Sequence, residues 1–224
     1  MFLLDQTFEV IAPHHCAICK AEGASLCEWC AMEVCAPLAP HCYRCHDLTV
    51  GSAVCDKCHT TSPLQHVWVA TEYTGHAKQL IHEFKFQRAQ SASVVIAQCM
   101  ARALPLLDAG TLVMPVPTAS SRRRQRGYDQ AALLAKGVAR HLGLFYAPLL
   151  RRMGQSRQVG ADRGQRQVQL AEAFRLVKAR LVVGADILLV DDIVTTGASL
   201  ETTARVLKAA GARHINAVAF AQKQ

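Results

Sequence analysis

The stretch Ile187-Leu188-Leu189-Val190-Asp191-Asp192-Ile193-Val194-Thr195-Thr196-Gly197-Ala198-Ser199-Leu200 decides how this chain is read. Ile187 to Val190 form a four-residue apolar run that predicts a short buried strand. Asp191 and Asp192 follow where that strand must surface. Thr195 to Ser199 are small and mostly hydroxyl-bearing, and a helical run over Leu200–Ala210 begins at once. A strand, a paired acid and a glycine-containing turn onto a helix N-terminus make a site for a sugar phosphate. The N–H groups of the turn and the positive helix end hold an anion, while the acids accept hydrogen bonds from hydroxyls. Asp, Thr and Ser also cap helices in ordinary α/β turns. Two adjacent ionised carboxylates are a different matter, because they repel each other unless a cation or hydroxyl partner is present.

Working outward, the spacing predicts strands over Val67–Tyr73, Leu112–Val116 and Ile215–Phe220. It predicts helices over Gly75–Phe84, Ser93–Leu104 and Gln130–Leu142, the last closed by Gly143. Strands alternating with helices argue for an α/β fold with a parallel sheet and right-handed crossovers. Ligands then sit outside the carboxyl ends of the strands, where the acid pair lies.

The pattern changes toward the N-terminus. Nine of the ten cysteines lie within residues 1–62, and eight form the pairs Cys16/Cys19, Cys27/Cys30, Cys42/Cys45 and Cys55/Cys58. Two thiolates separated by two residues sit on one tight knuckle, and two knuckles complete a tetrahedral site. Four knuckles predict two structural Zn²⁺ ions, hence a small Cys-rich double zinc ribbon over 1–62 ahead of an α/β domain over 63–224. Sequential pairing groups Cys16, Cys19, Cys27 and Cys30, then Cys42, Cys45, Cys55 and Cys58; spacing also allows an interleaved arrangement. Cys35, His41, His46 and His59 read as bystanders, and Cys99 as a small buried hydrophobe. With few apolar residues in the ribbon, metal supplies most of its folding free energy.

The net charge of +8 is unevenly spread. Between Thr118 and Arg180 there are 14 Lys or Arg against Asp129, Asp162 and Glu172. Such a field suits a polyanion, pyrophosphate or nucleic acid alike. Arg122, Arg123, Arg124 and Arg126 follow the second strand, and guanidinium groups bind oxyanions bidentately. Of these, Arg124 and Arg126 are the expected ligand contacts, with Gly127 as the turn and Asp129 as cap of the next helix. The polar segment Gln155–Arg166 reads as a long loop whose Arg163 or Arg166 folds over a bound anion. Lys85 is a lone cation between Phe84 and Phe86, and reads as a ligand contact. No cationic leader precedes residue 15, and no run reaches the roughly 18 apolar residues of a membrane span. The expected location is the cytoplasm.

Taken in order, the four CxxC knuckles, FKF (Phe84–Phe86), PVP (Pro115–Pro117) with RRRQRGYDQA (Arg122–Ala131), QSRQVG (Gln155–Gly160) and ILLVDDIVTTGASL resemble the ComF/GntX family. The last motif also resembles the signature of type I phosphoribosyltransferases, which bind phosphoribosyl pyrophosphate (PRPP). The resemblance implies a parallel-sheet type I phosphoribosyltransferase-like domain behind a double zinc ribbon. Asp191 and Asp192 would hold the ribose hydroxyls, and Thr195, Thr196, Gly197, Ala198 and Ser199 would wrap the 5-phosphate. Arg124 and Arg126 would lie toward the pyrophosphate, beneath a lid carrying Arg163 and Arg166. Mg²⁺ would bind chiefly through PRPP oxygens and water. If the domain is active, Asp191 and Asp192 would also stabilise the oxocarbenium character that develops as pyrophosphate leaves, with an unidentified acceptor. The family also implies natural competence, with single-stranded DNA and a protein of the competence machinery as partners.

Overall fold

The computed structural model describes residues 15–16, 18–24, 26–36, 38–86, 92–118, 120–153 and 174–223. Five parallel strands form the sheet: β1 (Val67–Glu72), β2 (Leu112–Pro115), β3 (Phe145–Tyr146), β6 (Asp186–Val194) and β7 (His214–Gln222), in the order β1-β7-β6-β2-β3. The central strand β6 buries Ile187, Leu188, Leu189 and Val190 completely or nearly so. Burial on both faces is what a continuous apolar run means in a parallel sheet. Successive side chains leave opposite faces. Leu188 and Val190 therefore join a core with the helices α3 (Gly75–Phe86), α4 (Ala92–Arg102) and α6 (Gln130–Leu142), while Ile187 and Leu189 join one with α7 (Ala198–Ala209).

Several helix ends match the residues that the sequence marks. Asp129 caps α6, its side chain accepting from the Ala132 N–H at 3.2 Å, and Gly143 closes it with φ 66°. The strand β6 differs from expectation. It does not stop at Val190 but runs to Val194, because β7 continues beside it and pairs Asp191 with Ala219, Ile193 with Ala221 and Val194 with Gln222. Its other neighbour, β2, ends opposite Val190, where the Val116 N–H makes a final bond to the Val190 carbonyl at 2.9 Å. Pro117 has no N–H to continue that ladder. The sheet thus opens between β2 and β6, where the order of strands reverses and a crevice forms.

Other elements were not foreseen. Ser120–Arg126 forms a short helix, α5, and β4 (Leu150–Arg152) pairs antiparallel with β5 (Phe174–Leu176). Near the N-terminus, α1 (Glu28–Val34) and the single turn α2 (Asp56–His59) accompany the cysteine knuckles. Cys16, Leu26, Cys30 and Val34 complete the core on the α3/α4 side, and Cys42, Tyr43, Val54 and Leu64 complete the one beneath α7. Cys35 stands outside both tetrads and Cys99 is buried, as expected, but their sulfurs are also joined as a disulfide, tying the end of α1 to α4. A separation of 64 residues hides such a contact from any local reading. Among the described residues, no helix is long and apolar enough to cross a membrane.

Candidate functional site

The acid pair stands on the part of β6 that β2 leaves unpaired. Asp192 continues the Leu188–Val190 face and is 9% exposed. There Lys85, from the last turn of α3, reaches it with Nζ 2.8 Å from Oδ2. Asp191 continues the opposite face, and its Oδ1 accepts from the Asp192 N–H at 2.9 Å. Strand alternation therefore aims the two carboxylates apart, and Lys85 neutralises the more buried one. Both acids nonetheless line one small cavity with Lys85, Thr118, Arg126 and Ser199.

Immediately beyond Asp191, residues Val194 to Leu200 curl around a second small hollow. Thr195, Thr196, Ala198 and Ser199 are exposed, whereas Gly197 is buried with φ 72°. The Thr196 hydroxyl accepts from the Ala198 N–H at 3.4 Å, and α7 starts at Ala198. The turn thus presents backbone N–H groups at the start of a twelve-residue helix, beside a carboxylate. That arrangement can take an anion on one side and hydroxyls on the other.

The arginines separate. Arg126 turns toward the acid pair, and its guanidinium donates to Gln130 Oε1 at 3.0 Å. Arg124 lines a wider cleft of about 700 Å³ with Arg123, Arg151, Tyr128 and Tyr146. Residues two apart on a helix do not share a face, so one helical turn divides a cluster that is continuous in sequence. Arg152 lines both cavities. Arg163 and Arg166 lie outside the described residues. Thr118 and Arg152 had no motif to mark them, and Gln130 lay within RRRQRGYDQA without being singled out; Thr118 is fixed by a 3.2 Å bond from its hydroxyl to the capping Asp129.

The knuckles assemble in sequential order. Cys16, Cys19, Cys27 and Cys30 bring their sulfurs within 4.8 Å of one another, as do Cys42, Cys45, Cys55 and Cys58. Cys19 and Cys27 sulfurs are 3.7 Å apart, and those of Cys45 and Cys55 3.4 Å. These spacings suit a tetrahedral thiolate site, whose edge is about 3.8 Å for metal–sulfur bonds of about 2.3 Å. Burial works against ionising Cys16 and Cys42, yet backbone N–H groups of both knuckles of each tetrad, Cys27 and Cys19 for the first and Cys45 and Cys55 for the second, outweigh it and lower both thiols to about 6. Burial and neighbouring sulfurs push Cys30 up to about 12. Each tetrad thus starts with one easily formed thiolate, and either could hold a metal ion.

Comparison with known proteins agrees with this arrangement. A family described as the phosphoribosyl transferase domain matches residues 76–224. The DNA utilization protein YhgH of Salmonella typhi is 30% identical over 221 residues, covering 89% of this chain and 93% of the relative. Competence protein F of Haemophilus influenzae is 28% identical over 204 residues, with 85% and 87% covered. Competence protein ComFC of Bacillus subtilis is 25% identical over 220 residues, with 86% and 88% covered. The chain belongs to the phosphoribosyl transferase domain family and, with its two cysteine tetrads, to the ComF/GntX group.

Proposed function

We propose that the crevice between β2 and β6 binds Mg²⁺-PRPP and that the protein serves the handling of single-stranded DNA in competence. One observation carries the ligand: a carboxylate pair on the open edge of the central strand adjoins a turn that presents backbone N–H groups at a helix start. Asp191 and Asp192 accept from the ribose hydroxyls. The turn of Thr195, Thr196, Gly197, Ala198 and Ser199 holds the 5-phosphate. Arg126 faces the pyrophosphate from the cavity of the acid pair, Arg124 stands in the neighbouring cleft, and Arg163 and Arg166 are proposed to complete the arginine set. Mg²⁺ would be held through PRPP oxygens, water and the acid pair, and supplies charge neutralisation to the pyrophosphate. Lys85 keeps Asp192 compensated before the ligand arrives, so that the ribose enters a site already balanced in charge. Two Zn²⁺ ions fill the thiolate tetrads of a ribbon over 1–62, joined to the catalytic-type domain over 63–224 in the cytoplasm.

The DNA role rests on the names of the relatives and on the basic segment, which gives non-specific affinity for phosphates. Trp29 and Met32, both well exposed on α1, favour a protein contact at the ribbon, with a component of the competence machinery as the partner.

Calorimetry with Mg²⁺-PRPP tests the ligand. Binding should weaken at least tenfold in Asp191→Asn and Asp192→Asn, since each loses a charge-assisted hydrogen bond of about 1.5–3 kcal/mol. Failure of the wild-type protein to bind overturns the reading. Loss of transformation on gene disruption, restored by the wild-type gene, tests the DNA role.

A further inference from the structure

We infer that the second cysteine tetrad and the Thr195–Ser199 turn form one mechanical unit, with Tyr43 as the positioning residue between them. This rests on the proposed phosphate role of that turn. Tyr43 lies directly after the ligand-type residue Cys42, inside the knuckle that Cys45 closes. It is 2% exposed, and its ring covers Gly197. A Cβ on Gly197 would sit 2.9 Å from the ring's Cδ2 and closer still to Cε2, so only glycine allows the contact. The left-handed φ that shapes the turn is thus held from outside by a residue of the ribbon.

The contact is fixed on three sides. The Tyr43 hydroxyl donates to Glu201 Oε1 at 2.8 Å, and Glu201 is itself buried in the first turn of α7. Arg44, the next residue of the same knuckle, donates from Nε to that oxygen at 2.6 Å, and Arg205 donates to Oε2 at 2.9 Å. From the end of β7, the buried Gln222 amide donates to the Tyr43 carbonyl at 2.8 Å. Glu201 brings a negative charge into the first turn of the helix meant to receive an anion. Arg44 and Arg205 cancel it. Loosening the knuckle therefore does two things to the turn: it uncovers Gly197, and it leaves Glu201 under-neutralised beside the phosphate position. Because a thiolate knuckle takes its shape from its ion, metal in the second tetrad and anion in the turn should favour each other.

The first tetrad offers an internal control. Its ribbon reaches the α/β domain through Lys20–Glu83, Glu33–His76 and Cys35–Cys99, all on α3 or α4. Among the described residues, none of these contacts involves residues 195–199.

The test uses the full chain carrying both Zn²⁺ ions. A chromophoric chelator should release metal in two phases, and Mg²⁺-PRPP should slow only one, the phase that Cys45→Ser abolishes. The slowing should be about tenfold, within the usual range of coupling between linked sites. Tyr43→Ala should speed hydrogen exchange of the amides of residues 197–203 about tenfold and leave those of α6 unchanged, while Tyr43→Phe, which keeps the ring, restores most of the protection. If Tyr43→Ala fails to fold, Arg44→Gln, which keeps the ring in place, should show the same local exchange at smaller amplitude. Exchange at residues 197–203 that matches wild type in the folded variants overturns the inference. So does equal protection of both metal phases by the ligand. A wild-type protein that binds no PRPP defeats the proposed function instead, and the exchange result still decides the coupling.

Discussion

The two cysteine tetrads look equivalent in sequence, each built from two CxxC pairs, yet they occupy opposite sides of the sheet. The first completes the core beneath α3 and α4, and each of its ion pairs keeps at least one partner largely in solvent: Lys20, for example, keeps 65% of its side chain in solvent against the buried Glu83. The second completes the core beneath α7, and its polar links are buried, converging on Glu201, Tyr43 and Gln222. Exposed ion pairs contribute about 0–1 kcal/mol, whereas removing one member of a buried hydrogen-bonded set costs several. The difference teaches that one half of a ribbon can brace a helix layer while the other half packs into the turn at Gly197.

The sharpest way to break this comparison is to place the same alanine in each ribbon's neighbourhood. Gly197→Ala must adopt a left-handed φ, costing about 1–2 kcal/mol, and must displace the Tyr43 ring, costing about 1–3 more. Gly23 beside the first tetrad also has a positive φ, 109°, but nothing lies within 4 Å of an added Cβ. Gly23→Ala should therefore cost only about 1–2 kcal/mol. Denaturant unfolding measures both, and equal losses would erase the distinction. Next in size is Glu201→Gln, which leaves Arg44 and the Tyr43 hydroxyl facing a neutral amide and should cost about 1.5–3 kcal/mol. Its counterpart Lys20→Ala should stay below about 1 kcal/mol. A Lys20→Ala loss as large as that of Glu201→Gln would show that the first ribbon is held no more loosely than the second.

The sequence carried much of the scaffold and only part of this distinction. Ile187–Val190 announced a central strand by its unbroken apolar run, and Asp129 and Gly143 announced helix ends by local hydrogen bonding and backbone freedom. Those signals are local. The extra length of β6 was not legible, because it comes from β7 lying alongside and β2 stopping short. Lys85 stood out as a charge between two aromatics, but its partner, Asp192, is 107 residues away and belongs to the sheet's pairing. Arg124 and Arg126 seemed to act together until helix geometry turned them into separate cavities. Tyr43 had no signal at all: a tyrosine inside a CxxC pair is unremarked until Gly197 is seen to be shaped around it. The disulfide between Cys35 and Cys99 was hidden for the same reason.

A smaller effect than that of Glu201→Gln is expected in alkali and isolates the Tyr43 hydroxyl. Burial comes first in raising this phenol to about 12 from an ordinary value of 10; the Ser62 hydroxyl opposes, and the hydrogen bond and charge of Glu201 add to the rise. A folded-state value above the unfolded one means that the contribution is fully present below pH 10 and is lost as pH rises toward 12, since the unfolded chain ionises first. At pH 11 the loss should be about 1 kcal/mol. Cysteines and lysines titrate nearby, so the measurement is a difference: stability of the wild-type chain minus that of Tyr43→Phe, followed by urea unfolding between pH 9 and 12. The difference should be constant up to about pH 10 and fall beyond it. A flat difference would mean that the hydroxyl ionises as freely in the fold as outside it, which is incompatible with its bond to a buried, ionised Glu201.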